Sequence, residues 1–325
     1  MSGTLGRVPA LLKLLAATLL LASCAAAPTP GAVQGPKRIA LSFDDVPRFP
    51  GSFMTPDERT VALVAALKEA GVGQAAFFVT TGNLDEDYGA NGEARIRTYV
   101  AAGHVIANHS HSHTHLSDST IADYIADLDR AKAWLAGRPG ERPWYRFPYL
   151  DEGHDLERRD ALRVALGQRG LGNGYVTVDN YDWAIDDLVR KAITDKRAID
   201  LRALGDFYAE TAVRAADFYD RIARETLGRS PAHVFLLHET DLNALFIADV
   251  VAALRADGWQ IIPIDEAFRD PIAQIEPDTL VLGGGRVAAL AAAAGRDPDD
   301  LFYERNNEAA LARLFEERVI LKGER

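Results

Sequence analysis

The residues of this chain that could do chemistry are concentrated in two short segments. Asp44 and Asp45 form an acidic pair, and segment 108–115 carries histidines at four alternate positions. Two histidines and a carboxylate are a recognised ligand set for a catalytic zinc ion with one open coordination position. One acid of an adjacent pair can bind the metal while the other serves as a base. These residue types therefore predict a catalytic metal site.

The histidine run does not by itself select its ligands. An extended segment would place all four histidines on one face, whereas a helix would pair His109 with His113 and His111 with His115. A short histidine tract could also be an exposed loop that binds metal adventitiously. The acidic pair strengthens the hypothesis of a real site because it supplies the carboxylate ligand.

Short apolar runs alternate with helical patterns along the chain, which predicts an α/β fold, either a barrel or a doubly wound sheet. The runs are mostly apolar at odd and even positions alike, as in parallel strands buried on both faces. The predicted strands are 38–42, 75–79, 105–107, 145–147, 175–178, 234–237 and 260–264. The predicted helices include 57–69, which Thr55 and Glu58 would cap, 119–135 and 156–168.

Polar residues stand where these predicted strands end. Asp44 and Asp45 follow the first strand, and the histidine run follows the third. The candidates at the later strand ends are Arg146, Asp179, Asp182 and His238. In a (β/α) barrel the carboxyl ends of the strands meet at one face, where the active site lies. The order of elements thus predicts that these side chains form one site.

Five segments resemble, in order, the motifs of the polysaccharide deacetylases with NodB homology. They are 41–45 (LSFDD), 106–116 (IANHSHSHTHL), 145–149 (YRFPY), 178–183 (VDNYDW) and 236–238 (LLH). The resemblance extends over about residues 38–268. It implies a distorted (β/α) barrel of about seven parallel strands, and an enzyme that hydrolyses N-acetyl groups of a glycan.

The resemblance also implies a division of roles. Asp45, His109 and His113 would hold a divalent cation, Zn²⁺ or another such as Co²⁺ or Ni²⁺, with His111 and His115 as neighbours. The family pattern makes Asp44 the general base and His238 the general acid.

The remaining motif residues would support that chemistry. Arg146 would orient the base, and Asp182, in preference to Asp179, would bind His238 and raise its pKa. The backbone N–H of Tyr149 would face the oxyanion, and Trp183 and Leu236 would enclose the acetyl methyl group. The chain departs from the family at Phe147, where proline is common, and at Leu150, where glycine is usual, so the Tyr149 loop is expected to differ in shape.

The N-terminal residues have the pattern of an export signal. Basic residues precede an apolar run that is too short to span a bilayer, and the run ends in Leu21-Ala22-Ser23-Cys24. This resembles a bacterial lipoprotein signal, with residues 1–23 removed and Cys24 lipidated. Residues 24–36 would be a tether to an exported protein, anchored in a membrane and facing the periplasm or the cell surface. An ordinary secretory signal is the alternative.

Length and composition divide the rest of the chain into a domain with an insertion and a C-terminal extension. Residues 37–270 would form the deacetylase domain with a helical insertion at 186–230, and residues 271–325 a helical extension. Aromatic residues repeat at 207–208 and 218–219, a spacing that indicates core packing or a sugar-stacking face. The net charge of −11 argues against nucleic-acid binding, the single cysteine excludes an internal disulfide, and no protein partner can be inferred.

Three functions remain open at this stage. The first is N-deacetylation of peptidoglycan, a chitooligosaccharide or an exopolysaccharide. The second keeps the same site but acts on O-acetyl esters of xylan-like glycans or on a small cyclic amide. The third is a metal-binding lipoprotein, which would not need Asp44, Arg146, Asp182 and His238 in addition to metal ligands.

Overall fold

The computed structural model describes residues 35–321, which lie in one compact unit. The signal and lipidation predictions at residues 1–24 and most of the predicted tether lie outside this range. None of the helices between residues 35 and 321 is both long enough and apolar enough to cross a membrane.

Seven parallel strands form the sheet of the described chain. They are β1 (Arg38–Val46), β2 (Ala76–Val79), β3 (Val105–Asn108), β4 (Glu141–Tyr145), β5 (Gly172–Asn173), β6 (Ala232–His238) and β7 (Gln260–Ile261). Their order is β5-β4-β3-β2-β1-β6, and β7 pairs with the start of β1. β1 to β3 and most of β6 are buried on both faces, as the apolar residues at both parities predict.

One segment closes the sheet into a distorted barrel. β5 pairs with β4, and five residues later Val178 forms a parallel bridge to Phe235 of β6. The chain between them crosses from one edge of the sheet to the other, so it has no continuous ladder with either strand. This confirms the predicted fold class and also makes segment 172–178 the most weakly paired side of the barrel.

Ten helices surround and extend this sheet in the described residues. They are α1 (Pro56–Glu69), α2 (Gly92–Ala101), α3 (Ile121–Leu135), α4 (Leu156–Gln168), α5 (Asp182–Thr194), α6 (Leu201–Leu227), α7 (Asp241–Ala256), α8 (Ile264–Ala267), α9 (Gly285–Ala293) and α10 (Glu308–Arg318). The predicted capping box starts α1, since Thr55 accepts from the Glu58 amide and the Glu58 carboxylate accepts from the Thr55 amide. α4 has the bounds predicted from its pattern.

Two strand predictions were wrong. The fourth strand ends at Tyr145 and does not run from 145 to 147, because the polar stretch Glu141–Pro143 forms its first part. Tyr175–Val178 is not a strand, because this is where the chain crosses between β4 and β6. In both places tertiary position overrides local propensity, since polar Glu141–Pro143 is paired and strand-like Tyr175–Val178 is not.

The insertion and the extension pack against each other. α6 buries Phe207, Tyr208 and Tyr219, so most of the repeated aromatic side chains belong to the core and are not available to sugars. α9 and α10 pack on α6, and Arg305 of the extension donates to Thr211 and Glu210 of that helix. α6 is therefore one of the elements that hold the C-terminal part of the chain in place.

Candidate active site

The acidic pair lies at the carboxyl end of β1, between β2 and β6. The β1–β2 register shifts between Phe43 and Val46, and Asp45 within this irregularity has a φ of 67°. A left-handed conformation is uncommon for a residue other than glycine, and it lets two consecutive carboxylates reach the same cavity. Both Asp44 and Asp45 line that cavity.

Three side chains converge into a candidate metal site, called here the metal triad: Asp45, His109 and His113. One ligand atom from each lies within 4.8 Å of the others. The distances from Asp45 Oδ1 are 3.1 Å to His113 Nε2 and 3.6 Å to His109 Nε2. The other two histidines of the run are engaged elsewhere, His111 with Thr81 Oγ1 and His115 with the ring of Tyr149.

The protonation of the triad fits a cation. His109 Nδ1 is 2.9 Å from the carbonyl oxygen of Arg146, which can only accept, so Nδ1 is the donor and Nε2 is the nitrogen that faces the site. Asp45 Oδ1 is buried and has no hydrogen-bond partner within residues 35–321. Burial raises the pKa of Asp45, but the neighbouring histidines and Arg48 lower it by a larger amount. The pKa of Asp45 therefore lies well below its usual range. The triad thus offers a carboxylate oxygen and two imidazole nitrogens, a ligand set suited to zinc.

Arg48 holds the second oxygen of the carboxylate ligand. Its Nη1 donates to Asp45 Oδ2 at 2.6 Å, which leaves Oδ1 directed at the histidines. The backbone around Arg48 is itself fixed, because its N–H donates to Glu239 and its carbonyl accepts from Arg59. The sequence analysis missed Arg48, since its contact depends on the irregular turn after β1.

Replacement of Arg48 by methionine is expected to weaken metal binding by about 10- to 100-fold, because hydrogen-bonding partners of metal ligands contribute on that scale. The affinity is measured by competition with a chelating dye. The control is Arg130→Met, which removes an exposed arginine paired with Asp85. Equal affinities of the two variants would show that Arg48 does not orient Asp45.

Asp44 is paired with a buried arginine. Arg146 Nη1 donates to Asp44 Oδ1 at 2.6 Å, and the guanidinium also donates to Ser42 Oγ and to the carbonyl of Gly174. The other carboxylate oxygen, Oδ2, is 3.6 Å from His109 Nε2. One oxygen of Asp44 is therefore fixed by a full positive charge, and the other faces the metal triad.

His238 lies at the end of β6, beside Asp44 in the adjacent strand, and binds Asp182. Its Nδ1 is 2.7 Å from Asp182 Oδ1, and Asp182 Oδ2 accepts from the His238 amide and from Asn243 Nδ2. Burial lowers the pKa of His238, but the Asp182 carboxylate more than compensates and raises it to about 9. Asn243 was also missed, because a helix-start asparagine has no distinguishing sequence pattern.

Asp179 takes a different position. Its carboxylate accepts from the Tyr181 amide, and burial raises its pKa to about 7. Both Asp179 and Asp182 are buried, but Asp182 is the one hydrogen-bonded to the imidazole of His238.

These groups surround a cavity of about 470 Å³, a volume typical of small-ligand sites. Tyr149, Trp183 and Leu236 line it together with the metal triad, Asp44 and His238. Tyr149 has a φ of 57°, and its half-exposed ring stacks on His115 at 3.6 Å. The structure therefore brings all the site residues of the described chain to one place.

Comparison with known proteins identifies the family. The profile described as polysaccharide deacetylase matches residues 31–165. A chitooligosaccharide deacetylase from Bradyrhizobium sp. (strain ANU 289) is 30% identical over 241 residues, which cover 73% of this chain and 93% of that relative. The chain belongs to the polysaccharide deacetylase family. As a polysaccharide deacetylase it is a hydrolase of carbon–nitrogen bonds.

The solved structure of a polysaccharide deacetylase shares the fold of this chain. The enzyme from Bacillus cereus is 19% identical with a TM-score of 0.51, and the match covers 70% of this chain and 91% of that one. A family 4 carbohydrate esterase from Streptomyces lividans is 24% identical with a TM-score of 0.46, and covers 69% of this chain and 90% of its own. The family prediction made from the five motifs is confirmed by the relative of 30% identity.

Proposed function

We propose that this deacetylase removes N-acetyl groups from amino sugars of a glycan, with Asp44 as general base and His238 as general acid. One observation carries the proposal. The two residues lie side by side on β1 and β6 and line the same cavity as the metal triad. Their partners have opposite charges, Arg146 for Asp44 and Asp182 for His238. The guanidinium of Arg146 is bound to the proposed base, and Asp182 raises the pKa of His238 to about 9, so the proposed acid carries its proton at neutral pH.

A divalent cation, for which we propose Zn²⁺, would be held by Asp45, His109 and His113, and when bound it supplies an acidified water and polarises the acetyl carbonyl. Asp44 takes the proton of the attacking water at Oδ2. The carbon–nitrogen bond then breaks, and His238 protonates the departing nitrogen from Nε2, because Nδ1 is occupied by Asp182. Acetate and a free amine are the products.

Other lining residues position the acetyl group. Trp183 and Leu236 provide apolar surface for its methyl group, while the backbone N–H of Tyr149 is our candidate donor to the developing oxyanion. These roles agree with the cavity positions of the three residues. They extend the proposal without adding a charged group.

The function is tested by acetate release from N-acetylated chitooligosaccharides, N-acetylated peptidoglycan and acetylated xylan. Tag-free protein is stripped of metal and reloaded with Zn²⁺, Co²⁺ or Ni²⁺. Metal-dependent acetate from an N-acetyl glycan supports the proposal. Acetate from xylan alone would assign the site to O-acetyl esters, and no acetate despite stoichiometric zinc would favour a small amide substrate or a metal-binding role.

Replacement of His113 by alanine is expected to abolish stoichiometric zinc binding, because it removes one of three ligands. Zinc at about 100-fold over its Kd should stabilise the native protein by about 2.7 kcal/mol and so raise its melting temperature. This rise should be absent in the variant. Metal content and melting temperature are the two measurements. His111→Ala is the matched control in the same loop, and loss of zinc from that variant would contradict the assignment of His109 and His113.

We propose in addition that the protein is exported and anchored through a lipid on Cys24. The support is the sequence Leu21-Ala22-Ser23-Cys24 after a basic and apolar leader. The intact mass of the membrane-bound protein would show removal of residues 1–23 and acylation of Cys24. Release of a Cys24→Ala variant into the soluble fraction would support the anchor, and an unchanged membrane fraction would contradict it.

A further inference from the structure

A strap of the C-terminal extension, residues 276–284, borders the active-site cavity. Gly283 lines that cavity together with Leu150 and Phe147. Behind the same two residues is a second, small cavity of about 30 Å³, lined by Thr279, Val281 and other strap residues. The strap therefore packs against the outer side of the Phe147–Leu150 turn.

Three arginines clamp the strap and its start. Arg163 of α4 donates to the carbonyl of Pro277 at 2.7 Å, and Arg159 donates to the carboxylate of Asp278 at 2.8 Å. Arg286, just after the strap, is buried and donates to the carbonyl of Ile275 at 2.6 Å. Because the donors are charged guanidinium groups, these hydrogen bonds are strong. They fix the path of a segment that has no regular secondary structure.

The residues that directly follow the strap lie on the weakly paired side of the barrel. The Arg286 amide donates to the carbonyl of Val176 at 2.7 Å, and a Cβ at Gly285 would come within 2.7 Å of the same oxygen. Further along the extension, Asn306 donates to the carbonyl of Asp179. The extension thus covers segment 176–179, where the barrel lacks a full strand.

We propose that the strap and Leu150 form a fixed wall at one side of the active-site cavity, which restricts the deacetylase to a sugar at the end of a chain. An interior sugar of a polymer has neighbours on both sides, whereas a terminal sugar needs room for a neighbour on one side only. This inference rests on the proposed function, and it adds the part of the glycan on which the enzyme acts.

The first test maps the products of the metal-loaded wild-type protein. Its substrates are N-acetylchitohexaose and soluble glycol chitin, and the position of each free amine is read by mass-spectrometric sequencing. We expect the amine on one terminal sugar, the same end in every product, and a rate per acetyl group at least about tenfold lower on the polymer. Amines at interior sugars, or equal rates on both substrates, would overturn the inference while the proposed function stands. No acetate from any glycan would overturn both.

The second test opens the wall in two independent ways. Leu150→Gly removes a cavity-lining side chain at a φ of 54°, a conformation that glycine adopts without strain. The double variant Arg159→Ala/Arg163→Ala releases the strap from α4. Each variant is expected to raise the ratio of interior to terminal deacetylation several-fold.

The matched control is Arg158→Ala, which removes a neighbouring α4 arginine that pairs with Asp155. Melting temperatures report whether each variant is folded, and amide hydrogen exchange of residues 276–284 reports whether the strap is released. A released strap with an unchanged product pattern in the double variant, or an unchanged pattern in folded Leu150→Gly, would overturn the inference.

Discussion

Replacement of Asp44 by asparagine is expected to lower kcat by about 10²- to 10⁴-fold, the usual contribution of a general base. Asparagine keeps the shape of the side chain, and its oxygen can still accept from Arg146. It cannot take a proton from water. The loss should therefore appear in kcat, with the metal content and KM close to those of the wild type.

The same substitution also tests the buried ion pair. Arg146 is 1% exposed and retains its bonds to Ser42 and the Gly174 carbonyl, but it loses the charge of its carboxylate partner. A buried charge left without its counter-charge costs about 3–5 kcal/mol, so the melting temperature should fall as well.

Comparison at a temperature where both proteins are folded separates the two effects of this change. Asp85→Asn serves as the control, since Asp85 is an exposed aspartate paired with Arg130. If Asp44→Asn keeps more than about a tenth of the wild-type kcat while folded and metal-loaded, Asp44 is not the base.

Replacement of Asp182 by asparagine is expected to move the alkaline limit of activity to lower pH. The general acid must carry its proton, and a pKa of about 9 keeps His238 protonated through neutral pH. Without the carboxylate, burial is the main influence and holds the pKa of His238 below its ordinary value of about 6.5. The variant should lose most activity at pH 8 and recover part of it near pH 6.

The direction in which activity changes when the pKa of His238 falls distinguishes an acid from a base at this position. A His238 acting as base would become more active at neutral pH when its pKa falls, whereas an acid becomes less active. The measurement is kcat against pH for wild type and variant, with His238→Asn as the variant that should be inactive throughout. A variant profile that coincides with the wild-type profile would contradict the role of Asp182.

The stability of Asp182→Asn needs a separate measurement. The Asp182 carboxylate accepts four hydrogen bonds, at Oδ2 from the His238 amide and Asn243, and at Oδ1 from His238 Nδ1 and the Trp183 amide. An asparagine side chain has one oxygen and cannot satisfy all four donors. One unsatisfied buried donor costs about 1–3 kcal/mol. The pH profiles are therefore compared only where thermal unfolding shows both proteins to be native.

The positions of the chemical groups along the chain could be predicted because they follow the ends of parallel strands. β1, β3 and β6 are apolar at both parities, so their ends are visible in the sequence, and Asp44, His109 and His238 lie at those ends. Segment 172–178 could not be predicted, because its pairing depends on which sheet edges it reaches. Arg48 and the strap were missed for a related reason, since both act through contacts between distant segments.

The choice among the four histidines shows where periodicity fails. His113 has a φ of 52° and Ser110 a φ of 70°, so the loop is neither an extended strand nor a helix. Neither regular repeat could select His109 with His113. The family resemblance named this pair, and the geometry places both imidazoles against Asp45.

The pairing of β1 has a consequence for how the chain folds. Residues Arg38–Asp44 form their ladder with Ala232–His238, so each residue of this part of β1 pairs with one that is 194 positions later in the chain. Such non-local pairing makes folding slow and leaves partly folded chains open to association. Any fragment that stops before residue 232 would expose the apolar edge of β1, and truncation from the C-terminus should yield aggregates before it yields a smaller native domain.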